Sequence, residues 1–332
     1  LLAVRYEQLG AIVEPHDPAS TPPIGTAAAS NTLPTTDAYD LPECQSAIDF
    51  NTRPLRRLGG RETLASELVD IDRDGYLDAV FVQQLDETAD IYWGNVSGQF
   101  DTPQQLKIER TGSPPAVGDI DNNGHPDLVF ASADNSRLSV FLATGHREFS
   151  PHQQLFQDQR PIDPTLLHLN ADHHLDIAFQ GDEGLSWRAG DGKGSFGEHN
   201  LLTSPVTAYA FDQQAPAARL FVIRDGAIIS YRLRGELFAE APQILATLPT
   251  PETSPSPYDR HQLRAVDTSN GISLLAWEYP RAEWILKFDE QMEWASCVQA
   301  KFERQRIGGL GDWSGDGIPD LVSHRTCSYA QA

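Results

Sequence analysis

Asp70-Ile71-Asp72-Arg73-Asp74-Gly75-Tyr76-Leu77-Asp78 sets carboxylates at alternate positions, then a glycine, then a fourth carboxylate. Oxygens spaced in this way can converge on one hard cation. Ca²⁺ takes 6–8 oxygens at roughly 2.3–2.6 Å, and the glycine lets the loop turn without a Cβ clash. The stretch runs straight into an apolar segment, Ala79-Val80-Phe81-Val82. An EF-hand would need a longer loop, a distal Glu and flanking amphipathic helices, and none of these is written here. The reading is a strand–loop–strand cation loop.

The stretch recurs. Asp119-Ile120-Asp121-Asn122-Asn123-Gly124-His125-Pro126-Asp127 leads into Leu128-Val129-Phe130, and Asp312-Trp313-Ser314-Gly315-Asp316-Gly317-Ile318-Pro319-Asp320 leads into Leu321-Val322. A worn copy, His168-Leu169-Asn170-Ala171-Asp172-His173-His174-Leu175-Asp176, leads into Ile177-Ala178-Phe179. A single acidic loop reads as a solvated turn. Three copies with oxygens at the first, third, fifth and ninth positions, each entering a strand, read as metal loops.

Two further copies keep the strands without the acidic loop. They run from Ala210 to Arg219-Leu220-Phe221-Val222-Ile223, and from Ala265 to Leu274-Leu275-Ala276-Trp277. In each unit a strand enters the loop and a second leaves it. A third follows, as at Asp90–Trp93 or Leu138–Leu142, and a turn leads to a fourth, as at Phe100–Ile108. Four short strands per roughly 40–50 residues, with no sustained helical period, is the pattern of a β-propeller blade. The expectation is an all-β propeller of six blades, or seven if residues 1–15 add one.

The chain stops two strands into the sixth unit, so the N-terminal side is expected to supply the rest. Ile48–Leu58 resembles Phe100–Ile108 and would be the fourth strand, with the segment near Cys44 the third. The three cysteines are Cys44, Cys297 and Cys327. In that arrangement a Cys44–Cys327 disulfide would lock the ring and leave Cys297 free, with Cys297–Cys327 as the rival pairing. The former closes a very long loop, worth ~4 kcal/mol on the chain-entropy model. Residues 1–43 read as one or two strands and a Pro/Thr/Ser-rich linker, and residues 44–332 as the propeller.

The chain has 332 residues, enough for one large all-β domain. A net charge of −22 argues against nucleic acid or an anionic membrane as partner. No apolar run reaches the roughly 18–20 residues that span a bilayer. No charged segment followed by an apolar one opens the chain, and Met292 is its single methionine. Both features read as those of a processed product, compatible with export.

The loops and their order resemble the FG-GAP/VCBS repeat family, which includes the propellers of integrin α-subunits and many secreted proteins. The resemblance spans about residues 44–328 and is specific at the three acidic loops. It implies a calcium-binding propeller, often extracellular and used for adhesion or ligand binding. Carried over by position, it assigns side-chain ligands to Asp70, Asp72, Asp74 and Asp78; to Asp119, Asp121, Asn123 and Asp127; and to Asp312, Ser314, Asp316 and Asp320. The carbonyls of Tyr76, His125 and Ile318 would complete about three Ca²⁺ sites. A weak fourth site would use Asn170, Asp172 and Asp176. There His168 stands at the first ligand position and His173 at the glycine. Imidazoles suit a transition metal, but histidines clustered on a loop read first as solvated surface.

Function divides three ways. The first is an exported binding or adhesion module for a protein or glycan. The second is an enzyme acting on polysaccharide or lipid, and the third is a platform in a larger assembly. No G-x-S-x-G, H-E-x-x-H or P-loop motif is present. Tyr258 and His261 are the pieces a dispersed enzyme site would draw on, and loop polarity accounts for them equally well. The tryptophans Trp93, Trp187, Trp277, Trp284 and Trp294 read as blade packing, whereas Trp313, inside a metal loop, reads as core or rim. Asn95-Val96-Ser97 is an N-glycosylation sequon in an expected turn.

Overall fold

The computed structural model describes residues 63–83, 87–97, 100–150, 153–156, 159–170, 172–212, 219–234, 237–238, 242–248, 261–268, 271–278, 282–288, 294–300, 305–311 and 320–325. Among these every regular element is a strand. No described helix is long and apolar enough to cross a membrane.

The first sheet takes β1 (Thr63–Val69), β2 (Asp78–Gln83), β3 (Thr88–Tyr92) and β4 (Gln104–Lys107) in chain order. The second is built from β5 (Ala116–Gly118), β6 (Asp127–Ser132) and β7 (Arg137–Phe141). A small hairpin, β8 (Ala143–Gly145) and β9 (Glu148–Phe149), then precedes its outer strand β10 (Gln153–Phe156). The third runs β11 (Ile162–Leu167), β12 (Asp176–Gly181), β13 (Gly184–Gly190) and β14 (Phe196–Thr203).

In the fourth, β15 (Ala208–Asp212), β16 (Arg219–Arg224) and β17 (Ala227–Arg234) follow in order. There β17 pairs with both β18 (Leu237–Phe238) and β19 (Gln243–Thr247). The fifth is β20 (His261–Thr268), β21 (Gly271–Glu278), β22 (Ala282–Phe288) and β23 (Trp294–Ala300). A final pair, β24 (Gln305–Gly311) and β25 (Asp320–Arg325), begins a sixth unit. Neighbouring strands are antiparallel throughout. The four-strand repeat expected from the sequence is therefore met in sheets one to five.

The apolar pattern explains how the sheets stack. An antiparallel sheet with one wet face alternates polar and apolar residues, but β6, Asp-Leu-Val-Phe-Ala-Ser, is buried at every position. Its alternate side chains serve two neighbours. Leu128 and Phe130 pack with Val80, Ile91 and Trp93 of the first sheet, while Val129 and Ala131 pack with Leu166, Ile177 and Phe179 of the third. The same division recurs along β16, where Leu220 and Val222 face the third sheet and Phe221 and Ile223 face the fifth. Among the described residues four apolar layers thus lie between consecutive sheets. Trp93 and Trp187 are buried in two of them, as blade packing requires. The side chains of Trp277, Trp284 and Trp294 and all of Trp313 lie outside the described set.

The first strands of the units meet one another: β5 touches β11, β15 touches β20, β20 touches β24, and β24 lies against β1. Residues 1–62, including Cys44 and the strand expected at Ile48–Leu58, lie outside the described residues. So do Cys327 and the loop from Asp312 to Pro319.

Candidate metal centre

Each loop joins the first strand of a unit to the second. In the first unit Val69 of β1 pairs with Asp78 of β2, so the chain must reverse between Asp70 and Leu77. It does so through two left-handed residues, Arg73 (φ 59°) and Gly75 (φ 87°). The second loop repeats this at Asn122 (φ 58°) and Gly124 (φ 92°). Glycine adopts this region without a Cβ penalty, which is why it follows the third oxygen-bearing residue in both loops. In the worn copy His173 takes the same conformation, φ 65°, at the usual cost of a side chain there.

The turn is tightened by its own carboxylates. Asp70 accepts the N–H groups of Asp74 (3.1 Å) and Gly75 (2.9 Å), and Asp119 accepts those of Asn123 (3.0 Å) and Gly124 (2.9 Å). Asp72 and Asp121 accept from the same Asp74 and Asn123 amides at 3.1 and 3.2 Å. Asp74 and Asn123 in turn accept the Tyr76 and His125 N–H groups at 2.9 and 2.8 Å. Carboxylate oxygens of Asp70, Asp72 and Asp78 lie within 4.8 Å of one another, as do those of Asp119, Asp121 and Asp127. Among the described residues these two loops alone gather three such groups.

The ninth residue has a task within the backbone as well. Asp78 is fully buried. One of its oxygens accepts the Ile71 N–H at 2.7 Å and the other the Gly94 N–H at 2.8 Å. Asp127 does the same with Ile120 and Ala143, both at 2.7 Å. Asp176 repeats it with Leu169 at 2.8 Å and Gly190 at 3.0 Å. The carboxylate thus ties the start of its loop to the end of the third strand, and each oxygen keeps a second lone pair for a cation. Gly94 is tight for the same reason, since a Cβ there would sit 2.2 Å from the Leu77 carbonyl oxygen.

Burial pushes the Asp78 carboxyl up to about 7 and Asp127 up to about 6, against the bonds from their backbone donors and with help from neighbouring aspartates. Asp70 is raised by burial and by Asp74 and Asp72 beside it, and Asp176 is raised by burial. A cation placed beside such carboxylates would favour their ionised form.

The worn copy is a turn of a different kind. His168 Nδ1 lies 2.9 Å from the His174 carbonyl oxygen, Asn170 accepts the Asp172 N–H at 2.8 Å, and Asp172 accepts the His174 N–H at 2.9 Å. Asp172 is exposed while Asp176 is buried, and the three histidines do not converge with them. Of the third acidic loop, only Asp320, the first residue of β25, is among the described residues; Asp312, Ser314, Asp316 and Ile318 lie outside them.

The loops also reach the neighbouring unit. Arg73 donates to the Gly124 carbonyl at 2.9 Å and approaches Asp119 at 3.8 Å, while Asn122 donates to the Gly192 carbonyl at 3.2 Å. From the other direction Arg147, in the β8–β9 hairpin, reaches Asp72 at 2.6 Å. Nothing in the residue types marked Arg147 beforehand. Its one signal is its position in the turn.

Residues 70–130, which hold both described loops, match the family model of the FG-GAP-like repeat. No curated protein matches the chain in sequence. Among solved structures, the lectin BP39L from Burkholderia pseudomallei aligns with a TM-score of 0.58 at 14% identity. The alignment covers 81% of this chain and 81% of that one. A lectin from Agrocybe aegerita, described as specifically recognising non-reducing terminal N-acetylglucosamine, aligns with a TM-score of 0.53 at 14% identity, covering 80% of this chain and 76% of that one. These two likenesses place the fold among the β-propellers.

Proposed function

We propose that the protein is a calcium-stabilised β-propeller that binds a glycan or protein ligand, with glycan the better supported. The observation that carries the cation reading is the pair of matching loops at Asp70–Asp78 and Asp119–Asp127. Each gathers three carboxylates, and in each the buried ninth residue, Asp78 or Asp127, is pushed up by burial. The repeat match over residues 70–130 supports calcium as the ion, and hard carboxylate and carbonyl oxygens suit it. Asp74 or Asn123 and the carbonyls of Tyr76 or His125 would complete each shell. By repetition, Asp312, Ser314, Asp316, Ile318 and Asp320 would make the third. Calcium here is structural: it neutralises the loops and fixes the connection between inner strands.

The propeller closes with six blades on this reading. The approach of β24 to β1 supports it, and the N-terminal side would complete the unit begun by β24 and β25. Cys44 and Cys327 would bridge that junction, which fits an exported protein. Ligand binding is inferred from likeness to two lectins that share the fold. A fold hosts many functions, so the assignment turns on experiment.

That experiment is a glycan array probed in calcium and in EGTA, with metal analysis and thermal unfolding under the same two conditions. The expected result is near three calcium ions per chain, calcium-dependent glycan binding and a melting temperature that falls in EGTA. An ion that binds only the folded form stabilises by about 2.7 kcal/mol per site at a hundredfold excess over Kd. Calcium loading without glycan binding would move the search to protein ligands. No bound calcium and no shift would overturn the cation reading.

A further inference from the structure

Arg147 stands at a backbone position made for glycine. The equivalence follows from the buried aspartates: Ala143 donates to Asp127 and Gly190 to Asp176, each at the end of its sheet's third strand. Counting on from these, Arg147 and Gly194 occupy the same step of their turns. Both are left-handed, at φ 59° and 88°. An L-residue there is strained, so the side chain has to return that cost.

It does so entirely on the first sheet. Arg147 Nε lies 2.6 Å from Asp72, one terminal nitrogen is 3.6 Å from Asp74 and the other 3.3 Å from Asp101. The guanidinium stands 4.8 Å over the Trp93 ring. His146 adds a nitrogen 3.9 Å from Asp72, whose side chain is wholly buried. In the third unit that step is Gly194, which has no side chain to offer, and the second loop meets that turn through Asn122, which donates to the Gly192 carbonyl. Arg73 lies 3.8 Å from Asp119 of the second loop.

We propose that Arg147 is an internal counter-cation of the first loop. Without a divalent ion it clamps the first sheet to the second through Asp72. With one, its charge stands beside a liganding carboxylate and opposes binding. The first loop therefore takes calcium more weakly than the second, by on the order of tenfold, although it carries one more carboxylate. The two loops fill in sequence, second before first, and filling the first weakens the clamp. This inference rests on the cation reading above.

The test is calorimetric titration of chelator-stripped protein with calcium chloride. Asp119→Asn with Asp121→Asn silences the second loop, and Asp312→Asn with Asp316→Asn silences the third, leaving the first to report alone. In that background Arg147→Gln should tighten calcium binding about tenfold, and Arg147→Lys, which keeps the charge, should remain near the parent. A second comparison holds even if Arg147→Gln does not fold. With Arg147 intact and the third loop silenced, silencing the first loop by Asp70→Asn should leave a tighter site than silencing the second. Calcium binding that is equally tight with and without the arginine charge, or a first loop tighter than the second, overturns the role of Arg147 alone. Absence of binding in every variant overturns the cation reading and this inference with it.

Discussion

Replacing Asp127 by alanine separates the two duties of the ninth loop residue. In the folded protein Asp127 is inaccessible to solvent and accepts N–H groups from Ile120 and Ala143, each at 2.7 Å. Alanine leaves both donors without a partner. A buried donor stripped of its acceptor costs about 1–3 kcal/mol, so the pair costs about 2–6 kcal/mol. The variant also removes a carboxylate that burial disfavours, which places the net loss at the low end, about 2 kcal/mol. The assay is urea unfolding at pH 7.5 in EGTA, where no cation contributes.

Asp121→Ala is the control. Asp121 accepts the Asn123 amide at 3.2 Å in an exposed turn, and its loss in EGTA should stay within about 0.5 kcal/mol. In calcium both variants should lose stability together. If Asp127→Ala unfolds in EGTA at the same urea concentration as the parent, the carboxylate is not a backbone anchor. Its burial would then have to be explained by the cation alone.

Three further outcomes follow from the same geometry. In EGTA, lowering pH from 7.5 to 5 should raise the melting temperature through Asp78 and Asp127. Their folded values, about 7 and about 6, lie above the ordinary 3.8, so the folded state binds the extra protons across that window. In saturating calcium the trend should shrink or reverse, and an identical slope with and without calcium would refute it. His173→Gly should stabilise by about 1 kcal/mol by relieving the left-handed backbone, measured by thermal unfolding; a loss would show that the imidazole contributes contacts worth more than the strain. Phe130→Ala should cost about 3–5 kcal/mol, because the ring is buried between the first two sheets and packs edge-on to Phe141 at 5.7 Å. A cost near zero would mean that the layer collapses around the gap.

The fold was legible because two periodicities coincide. The acidic loop recurs, and after each copy comes an apolar run too continuous for a strand with one wet face. Leu128-Val129-Phe130 stands in the sequence as an apolar run, and the structure buries it on both faces. The alternating aspartates of the first two loops were legible as a converging group because loop chemistry is local.

Two things were not. The backbone duty of Asp78, Asp127 and Asp176 depends on an amide far along the chain, at the end of the third strand, which residue types do not encode. A clue was nevertheless present. Asp176 persists in the copy where His168 and His173 have displaced a ligand and the glycine, so its retention pointed to a task other than metal. Arg147 was hidden for a different reason: its partners belong to another sheet, and only the match with Gly194 singles it out.

The uneven distribution of loops around the stack has a consequence for how the molecule comes apart. The first two sheets are joined at ends where aspartates crowd together, while the fourth and fifth meet through a layer of leucine, isoleucine and phenylalanine, with the short Asp212-to-Arg219 connection in place of a carboxylate loop. Calcium withdrawal should therefore act as a local seam-ripper and not as a general denaturant. Amide hydrogens in β1, β2, β5 and β6 would exchange early and those in β16 and β21 late, and a protease would find its first cuts on the acidic side. If the acidic loops hold calcium as proposed, the order in which the parts are lost would track the calcium level of the surroundings.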